Sequence, residues 1–527
     1  VLLVRNKKEF HALGSKCPHY GAPLSKGVLR GERLRCPWHG ACFNIRTGDI
    51  EEYPALDCIS CFKVTVEDGK VFITAKKKVL TLPAVTEHRQ HLGLGMTSAF
   101  CILFQDLESS LRVKDTSRRC LLNHNTMLLL GGGVAALVCA ETLRQEGFTG
   151  RIIMATKEKH VPYDKSKLSK EMHLKAEDVY LRKPEFLEAQ GIEFWTEKEA
   201  VSVDFQKQKV HFMDGSSQKY HQLLIATGSH SGFLKVPGAD LQNVCTLQTP
   251  EDSSKILELA TGKNLVIVGA SFIGTRLETA EKSQAARLPA PVWDTNGSSI
   301  LPAAWSSSRA ACLGFGWVQL PFQMLQNKGV KFHMKTELCE LKGKDGKVTE
   351  AVLGNGEKLP ADVVVVGIGS TPSSAFLKGT SMARDDKGAI LVDLHMQTNI
   401  PNIFAAGDVA AFPVALLDGD RSSIHHQQVA EAHGRFAALN MLKRGKELHT
   451  VPFFWTTLLG KSIRYAGCGK GYTDTVVKGS LEQQKFLIFY IRDGHVTAAA
   501  SLNCDPMVSL IAEVLYLGKQ ITKEEAE

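Results

Sequence analysis

The sequence predicts a multidomain chain: an all-β N-terminal domain, an α/β unit built on two strand–turn–helix folds, and a C-terminal α+β domain. Three observations predict it. Residues 1–78 alternate short β-rich runs with turns, as in Phe62-Lys-Val-Thr-Val66, Asp68-Gly69 and Val71-Phe-Ile-Thr74. Two runs of buried-strand character, Met127-Leu-Leu-Leu130 and Leu265-Val-Ile-Val268, each lead into a glycine-bearing turn. The last segment carries Lys485–Tyr490 and Val496–Leu502 as strands and then a helix from Met507 to Leu517.

Composition narrows the class. A chain of 527 residues holds three or four domains with real cores. Hydrophobic residues make up 44% and charged residues 22%, ordinary values for a globular protein. The net charge of +8 is mild and the Lys and Arg residues are spread, so no nucleic acid is indicated as a partner. Thirteen cysteines, an odd number in a long chain, do not form a secreted disulfide framework. Cys58-Ile-Ser-Cys61 reads as a structural pair of thiols, because it does not open a helix. No apolar run reaches the length of a membrane span; the longest, Met127–Ala140, is interrupted by three glycines. The chain begins at Val1 inside a small β domain, so we expect a preceding segment, with any targeting signal, to be missing.

The first domain carries Cys17-Pro-His19, sixteen further residues, then Cys36-Pro-Trp-His39, and glycines Gly21 and Gly40 close behind each histidine. Each loop thus offers one thiolate and one imidazole, the ligand pattern of a Rieske [2Fe–2S] centre, with Cys17 and Cys36 on one iron and His19 and His39 on the other. Zinc is the weaker reading, since its fingers pair cysteine with cysteine and histidine with histidine. Rieske centres of high potential carry extra loop cysteines and a serine where this chain has Ala22, Trp38 and Ala41, so a low-potential, ferredoxin-like centre is expected. Cys42 reads as a small buried residue rather than a ligand. Residues 79–125 show no period and read as a long linker.

From Thr126 the pattern changes. After the strand, Gly131-Gly-Gly133-Val-Ala-Ala136 opens a helix running to Glu146, the G-x-G-x-x-A turn that a dinucleotide pyrophosphate needs. A second strand, Arg151–Ala155, is followed by Glu158, about twenty residues past the glycines, where a ribose is gripped. The loop His160–Lys170 is rich in cations, Leu224-Ile-Ala-Thr227-Gly228 ends a strand in a small turn, and Gln397–Asp408 ends another in an acid.

These motifs, in this order, resemble the two-dinucleotide-domain flavoproteins of the pyridine-nucleotide–disulfide-oxidoreductase type, and more closely the apoptosis-inducing-factor-like proteins with an N-terminal Rieske domain. The resemblance covers residues 1–78 and most of 112–527. It implies an all-β Rieske domain, an α/β two-dinucleotide-binding-domain flavoprotein and a C-terminal α+β domain of dimerisation type. The implied domains are the Rieske domain at 1–78, a linker at 79–125, the FAD domain at 126–250 and 376–444, the NAD(P)H domain at 251–375 and an interface domain at 445–527. The implied cofactors are FAD, a [2Fe–2S] cluster and NAD(P)H. By the likeness Glu158 binds the FAD ribose, Asp408 a ribityl hydroxyl, and Lys165 stands near the phosphates where the family has Arg. Lys170 lies by the flavin ring, where a cation favours the reduced form. Gly131, Gly133, Ala136, Thr227, Gly228 and Gly369 complete the FAD site, and Trp455 either approaches the ring or is a core residue at a domain interface. In the stretch Ile424-His-His426-Gln427-Gln428, Gln427 replaces a family tryptophan. No redox-active C-x4-C follows the first glycine motif, so disulfide reduction is not expected. The implied activity takes electrons from NAD(P)H through FAD and the Rieske cluster to an unidentified acceptor. A homodimer and a mitochondrial location rest on the resemblance alone. The alternative is a redox-sensing or death-signalling protein, or a defective isoform, with bound cofactors and little turnover.

At one place the sequence departs from this family. Gly269, Ser271 and Gly274 form the second glycine motif, with serine for the middle glycine. Where relatives have a helix and a strand ending in an acid, 275–322 reads Pro-Ala-Pro-Val-Trp and Ala-Ala-Trp-Ser-Ser-Ser without a period, and Arg276 stands where relatives carry Glu near the flavin lysine. Two explanations remain open: real divergence, or a mis-spliced segment, to which 79–111 is also open. Either implies that NADH is bound more weakly than in the family.

Overall fold

The computed structural model describes residues 1–74, 116–269, 331, 333, 336–458 and 460–527. It divides into two compact units, Val1–Lys114 and Asp115–Glu527.

The first unit is all-β. Strands β1 (Leu2–Asn6), β2 (Glu9–Leu13), β7 (Cys61–Glu67) and β8 (Lys70–Thr74) form one antiparallel sheet, in that order. A second sheet orders β3 (Val28–Arg30), β4 (Arg33–Arg35), β5 (Cys42–Asn44) and β6 (Ile50–Glu52). The β7–β8 hairpin turns at Asp68 and Gly69, both with positive φ, as a two-residue hairpin loop requires. Leu13, Leu24, Leu34, Phe43, Ile45 and Ile59 make the core with Cys17 and Cys36. Burial of each large side chain contributes about 1.5–3 kcal/mol, and both cysteines of the two motifs sit within that core. Cys42 is buried here, as expected, and Cys58 is buried with its thiol toward the Asp49 carboxylate at 3.6 Å, while Cys61 is exposed.

The second unit holds three sheets that matter for function. Five parallel strands run in the order Ile192–Trp195, Arg151–Ala155, Thr126–Leu130, Gln222–Ile225 and Ile403–Ala405. The fifth comes from far down the sequence, so the first dinucleotide fold is discontinuous. Every residue of Thr126–Leu130 is buried, as a central parallel strand covered on both faces demands. The helix Val134–Gln145 follows it and packs against the helix Gln427–Met441. The second sheet orders Val244–Cys245, Val363–Val366 and Leu265–Val268, all parallel. Between its strands Val244–Cys245 and Leu265–Val268 runs the helix Pro250–Ala260, which starts on a capping box between Thr249 and Asp252. The third sheet is antiparallel, ordered Phe453–Leu458, Lys461–Gly467, His495–Leu502, Lys485–Arg492 and Asp474–Ser480, with the helix Met507–Tyr516 packed on it. Ser271, Gly274, Arg276 and the aperiodic stretch 275–322 lie outside the described residues, as do 75–78 of the expected first domain and 79–115 of the expected linker.

Candidate functional sites

In the first unit, two loops of like construction converge. The first leaves β2 and the second joins β4 to β5. In each, the cysteine N–H donates to the carbonyl five residues on: Cys17 to Ala22 at 2.9 Å and Cys36 to Ala41 at 2.7 Å. Gly21 and Gly40 have φ of +72° and +77°, a left-handed conformation that a side chain at the end of either loop would strain. The cysteines are buried, and the Cys17 thiol hydrogen-bonds the Cys36 side chain. That contact, with burial, pushes the Cys17 thiol up, while backbone N–H groups of His19 and Tyr20 pull it down. Two such thiols ionise together only around a cation. The half-buried histidines bring their Nδ1 atoms to 3.0 Å from one another. Tyr20 and Trp38 flank them edge-on, at 4.2 Å from His19 and 6.3 Å from His39.

The donor set therefore comes as a sulfur pair and a nitrogen pair. Among the described residues no three His, Cys, Asp or Glu side chains converge on one point, as a single-ion centre would need. A two-iron group takes two ligands per iron, so these pairs fit it and fit a lone zinc ion poorly.

In the second unit the glycine turn divides its labour. Gly131 has φ +136°, and a Cβ there would lie 2.1 Å from the Ala226 carbonyl oxygen, so only glycine lets the two strand ends meet. A Cβ on Gly132 would strike Thr156, whereas one on Gly133 meets nothing within 4 Å. Gly133 thus leaves open space at the start of the Val134–Gln145 helix, whose first N–H groups have no side-chain cap. Ala136 is fully buried behind them.

Around that turn the expected polar groups gather. Glu158 accepts from the Tyr163 hydroxyl at 2.7 Å and from Lys165 Nζ at 3.2 Å. Burial and the Glu158 charge push the Tyr163 hydroxyl far up, so it stays a donor. Thr227 donates to the Ser373 carbonyl at 2.8 Å, and Gly228 and Gly369 both have positive φ. Asp408 accepts from Ser229 Oγ at 3.0 Å and lies 3.9 Å from His425, which meets Ser370 at 3.1 Å. Behind it the Gly407 N–H donates to His433 Nδ1 at 3.2 Å; burial pulls that imidazole down to about 3 and keeps it neutral. Lys170 is half-buried on the cation-rich loop. Trp455 lies in the apolar core of the C-terminal sheet with Phe453, Leu487 and Phe489. In the second glycine motif, Gly269 has φ +110° and abuts the Gly367 carbonyl.

An open glycine turn at an uncapped helix start, with the Glu158 and Asp408 carboxylates on neighbouring loops, fits FAD. Sequence reasoning missed five contributors. Tyr163 lies within a loop it singled out and Ser229 directly follows another motif, and their hydroxyls gave no periodic signal. Arg35 and Glu52, a buried ion pair, were signalled only by charges inside short β runs. The last, buried Glu431, was hidden in an otherwise ordinary helix.

The chain belongs to the pyridine nucleotide-disulphide oxidoreductase family, whose model matches residues 125–434; a Rieske [2Fe-2S] domain matches 1–63 and a reductase C-terminal domain 453–527. It is therefore an NAD(P)H-dependent oxidoreductase of ferredoxin-reductase type whose cofactors are FAD, a [2Fe–2S] cluster and NAD(P)H. Over 527 residues, all of this chain and 82% of the relative, it is 44% identical to apoptosis-inducing factor 3 of Mus musculus, and equally to that of Homo sapiens. Among solved structures it is similar to the ferredoxin reductase for the CYP199A2 system from Rhodopseudomonas palustris. That likeness has a TM-score of 0.70 and 26% identity, and covers 76% of this chain and 97% of that one.

Proposed function

We propose that electrons from NAD(P)H pass through FAD to the cluster of the chain's own N-terminal domain and on to an external acceptor. The observation that carries this reading is the paired donor set, Cys17 with Cys36 and His19 with His39, in one chain with a flavin-type cleft. When bound, FAD would accept one hydride, two electrons in all, and could pass them on singly to a cluster that carries one at a time. The residues supply the rest. Gly131 and Gly133 shape the turn, and the helix start behind Ala136 receives the pyrophosphate. Glu158, already accepting from Tyr163 and Lys165, keeps lone pairs for ribose hydroxyls. Asp408, oriented by Ser229, accepts from the ribityl chain, and Thr227, Gly228 and Gly369 line the cleft between them. Lys170 supplies positive charge at the ring. Gly269, Ser271 and Gly274 receive the nicotinamide dinucleotide. For Trp455 the core packing favours a structural role.

The test is an anaerobic visible spectrum of the full chain and of Cys36→Ala, before and after NADH. Flavin and cluster bands that both bleach in the parent chain, with only the flavin band present and bleached in the variant, are expected. Cluster bands that persist in Cys36→Ala would overturn the ligand assignment.

The likeness to apoptosis-inducing factor 3 supports a second reading, a role in apoptosis with bound cofactors and slow turnover. Cofactor bands that bleach with dithionite but not with NADH would favour it.

A further inference from the structure

Arg35 is only 1% exposed, although it stands directly before a cysteine of the cluster loops. A guanidinium in that setting needs every donor answered. Its Nη1 donates to the carbonyl of Gly40 at 2.9 Å, and its Nη2 pairs with Glu52, itself 3% exposed. The same Glu52 oxygen receives Arg33 Nη2 at 3.1 Å, and Arg33 Nη1 reaches Glu51 at 2.6 Å.

The sheet register explains how the pair meets. Arg35 on β4 lies opposite Cys42 on β5, and Cys42 lies opposite Glu52 on β6. The three form one cross-strand row with the smallest side chain in the middle. Strands two apart are separated by roughly 9–10 Å. Two long side chains span that gap over a cysteine, whereas a large residue at 42 would block them. Arg35 thus ties the end of the Cys36–Ala41 loop to the far strand of the sheet.

We propose that Arg35 is a positioning residue of the [2Fe–2S] centre: through Gly40 and Glu52 it fixes the second ligand loop, and it holds a permanent positive charge on that loop's carbonyl, one residue from Cys36. This rests on the Rieske reading of the four ligands. A fixed cation there favours the form of the centre carrying the extra electron, so it raises the reduction potential. The fixed loop slows loss of the metal.

The test uses the full chain with Arg35→Met, Arg35→Lys and Glu52→Gln. The readouts are the midpoint potential from an EPR-monitored titration, the rate of cluster loss to a ferrous chelator, and flavin content as a check on the second unit. Arg35→Met is expected to have a more negative potential and to lose its cluster roughly 10–100-fold faster, the usual scale for outer-shell partners of metal ligands. Arg35→Lys should hold its potential near the parent value yet still lose the cluster faster, because an ammonium lacks the fork that serves two acceptors. Glu52→Gln should shift the potential positive. If Arg35→Met does not load, the other two variants decide. Potentials unmoved in Arg35→Met and Glu52→Gln overturn the proposal, even if cluster loss quickens, because a mere structural clamp would do that. A parent chain without a Rieske-type EPR signal would instead remove the ligand assignment on which the proposal stands.

Discussion

At the scale of single residues, the second unit sets half-buried and buried polar groups against one another. Asp408 is oriented by Ser229 on one side, and the Gly407 N–H is held by the neutral His433 on the other. Replacing Asp408 by alanine removes a charged acceptor, an interaction worth about 1.5–3 kcal/mol. The expected result is an FAD dissociation constant raised roughly tenfold to a hundredfold, read by fluorescence of released flavin. Glu431 is a different case. Its Oε1 accepts from Gln427 at 3.0 Å, its Oε2 has no hydrogen bond, and burial with the nearby Asp164 charge raises it to about 8. The ordinary value is 4.5, so between 4.5 and about 8 the folded chain holds a proton that the unfolded chain has lost. Stability therefore falls as pH rises through that window. Glu431→Gln should flatten the fall, which urea midpoints at pH 5 and pH 8 would reveal. An unchanged slope in the variant would place the ionisation elsewhere.

At the scale of elements, the glycine turn and the strands around it stand or fall together. Gly131 combines a left-handed φ with a carbonyl 2.1 Å from where a Cβ would sit. Gly131→Ala therefore has to push the Thr126–Leu130 and Gln222–Ile225 strand ends apart. Backbone strain alone costs about 1–3 kcal/mol, and the cleft between those ends widens. The variant is expected to purify with little flavin and a lowered melting temperature, whereas Gly133→Ala, at an open position, should keep its fold and lose mainly FAD affinity. Equal flavin content in parent and Gly131→Ala would contradict this account. Most of these elements were legible beforehand. The strands Arg151–Ala155 and Leu265–Val268 match their expected residues because unbroken apolar runs next to glycine have few other ways to bury themselves. Trp455 was not legible: a lone tryptophan in Phe-Phe-Trp serves a ring site or a core equally well, and only the packing of the C-terminal sheet shows it among core residues.

For the whole molecule, two units with separate cores carry the two halves of the chemistry. By the resemblance the nicotinamide site would depend on the stretch 275–322, whose sequence reads without a period, and Arg276 would stand where the family has Glu. NADH is accordingly expected to bind at least about tenfold more weakly than to the 44%-identical relatives, the cost of one charged hydrogen bond. Fluorescence titration on both proteins checks this, and equal affinities would sink it. The amino-acid sequence by itself determined the class of domains, the two Cys/His loop motifs as a pattern, and the glycine turn at the start of its helix. Those features rest on local spacing, which chain geometry converts directly into loops, strands and helix starts. Tertiary structure alone decided that the two cluster-type loops converge, that Ser229 answers Asp408, and that Arg35 reaches Glu52 across Cys42. Those contacts join residues far apart in sequence or side by side across strands, and only sheet register and burial bring them together.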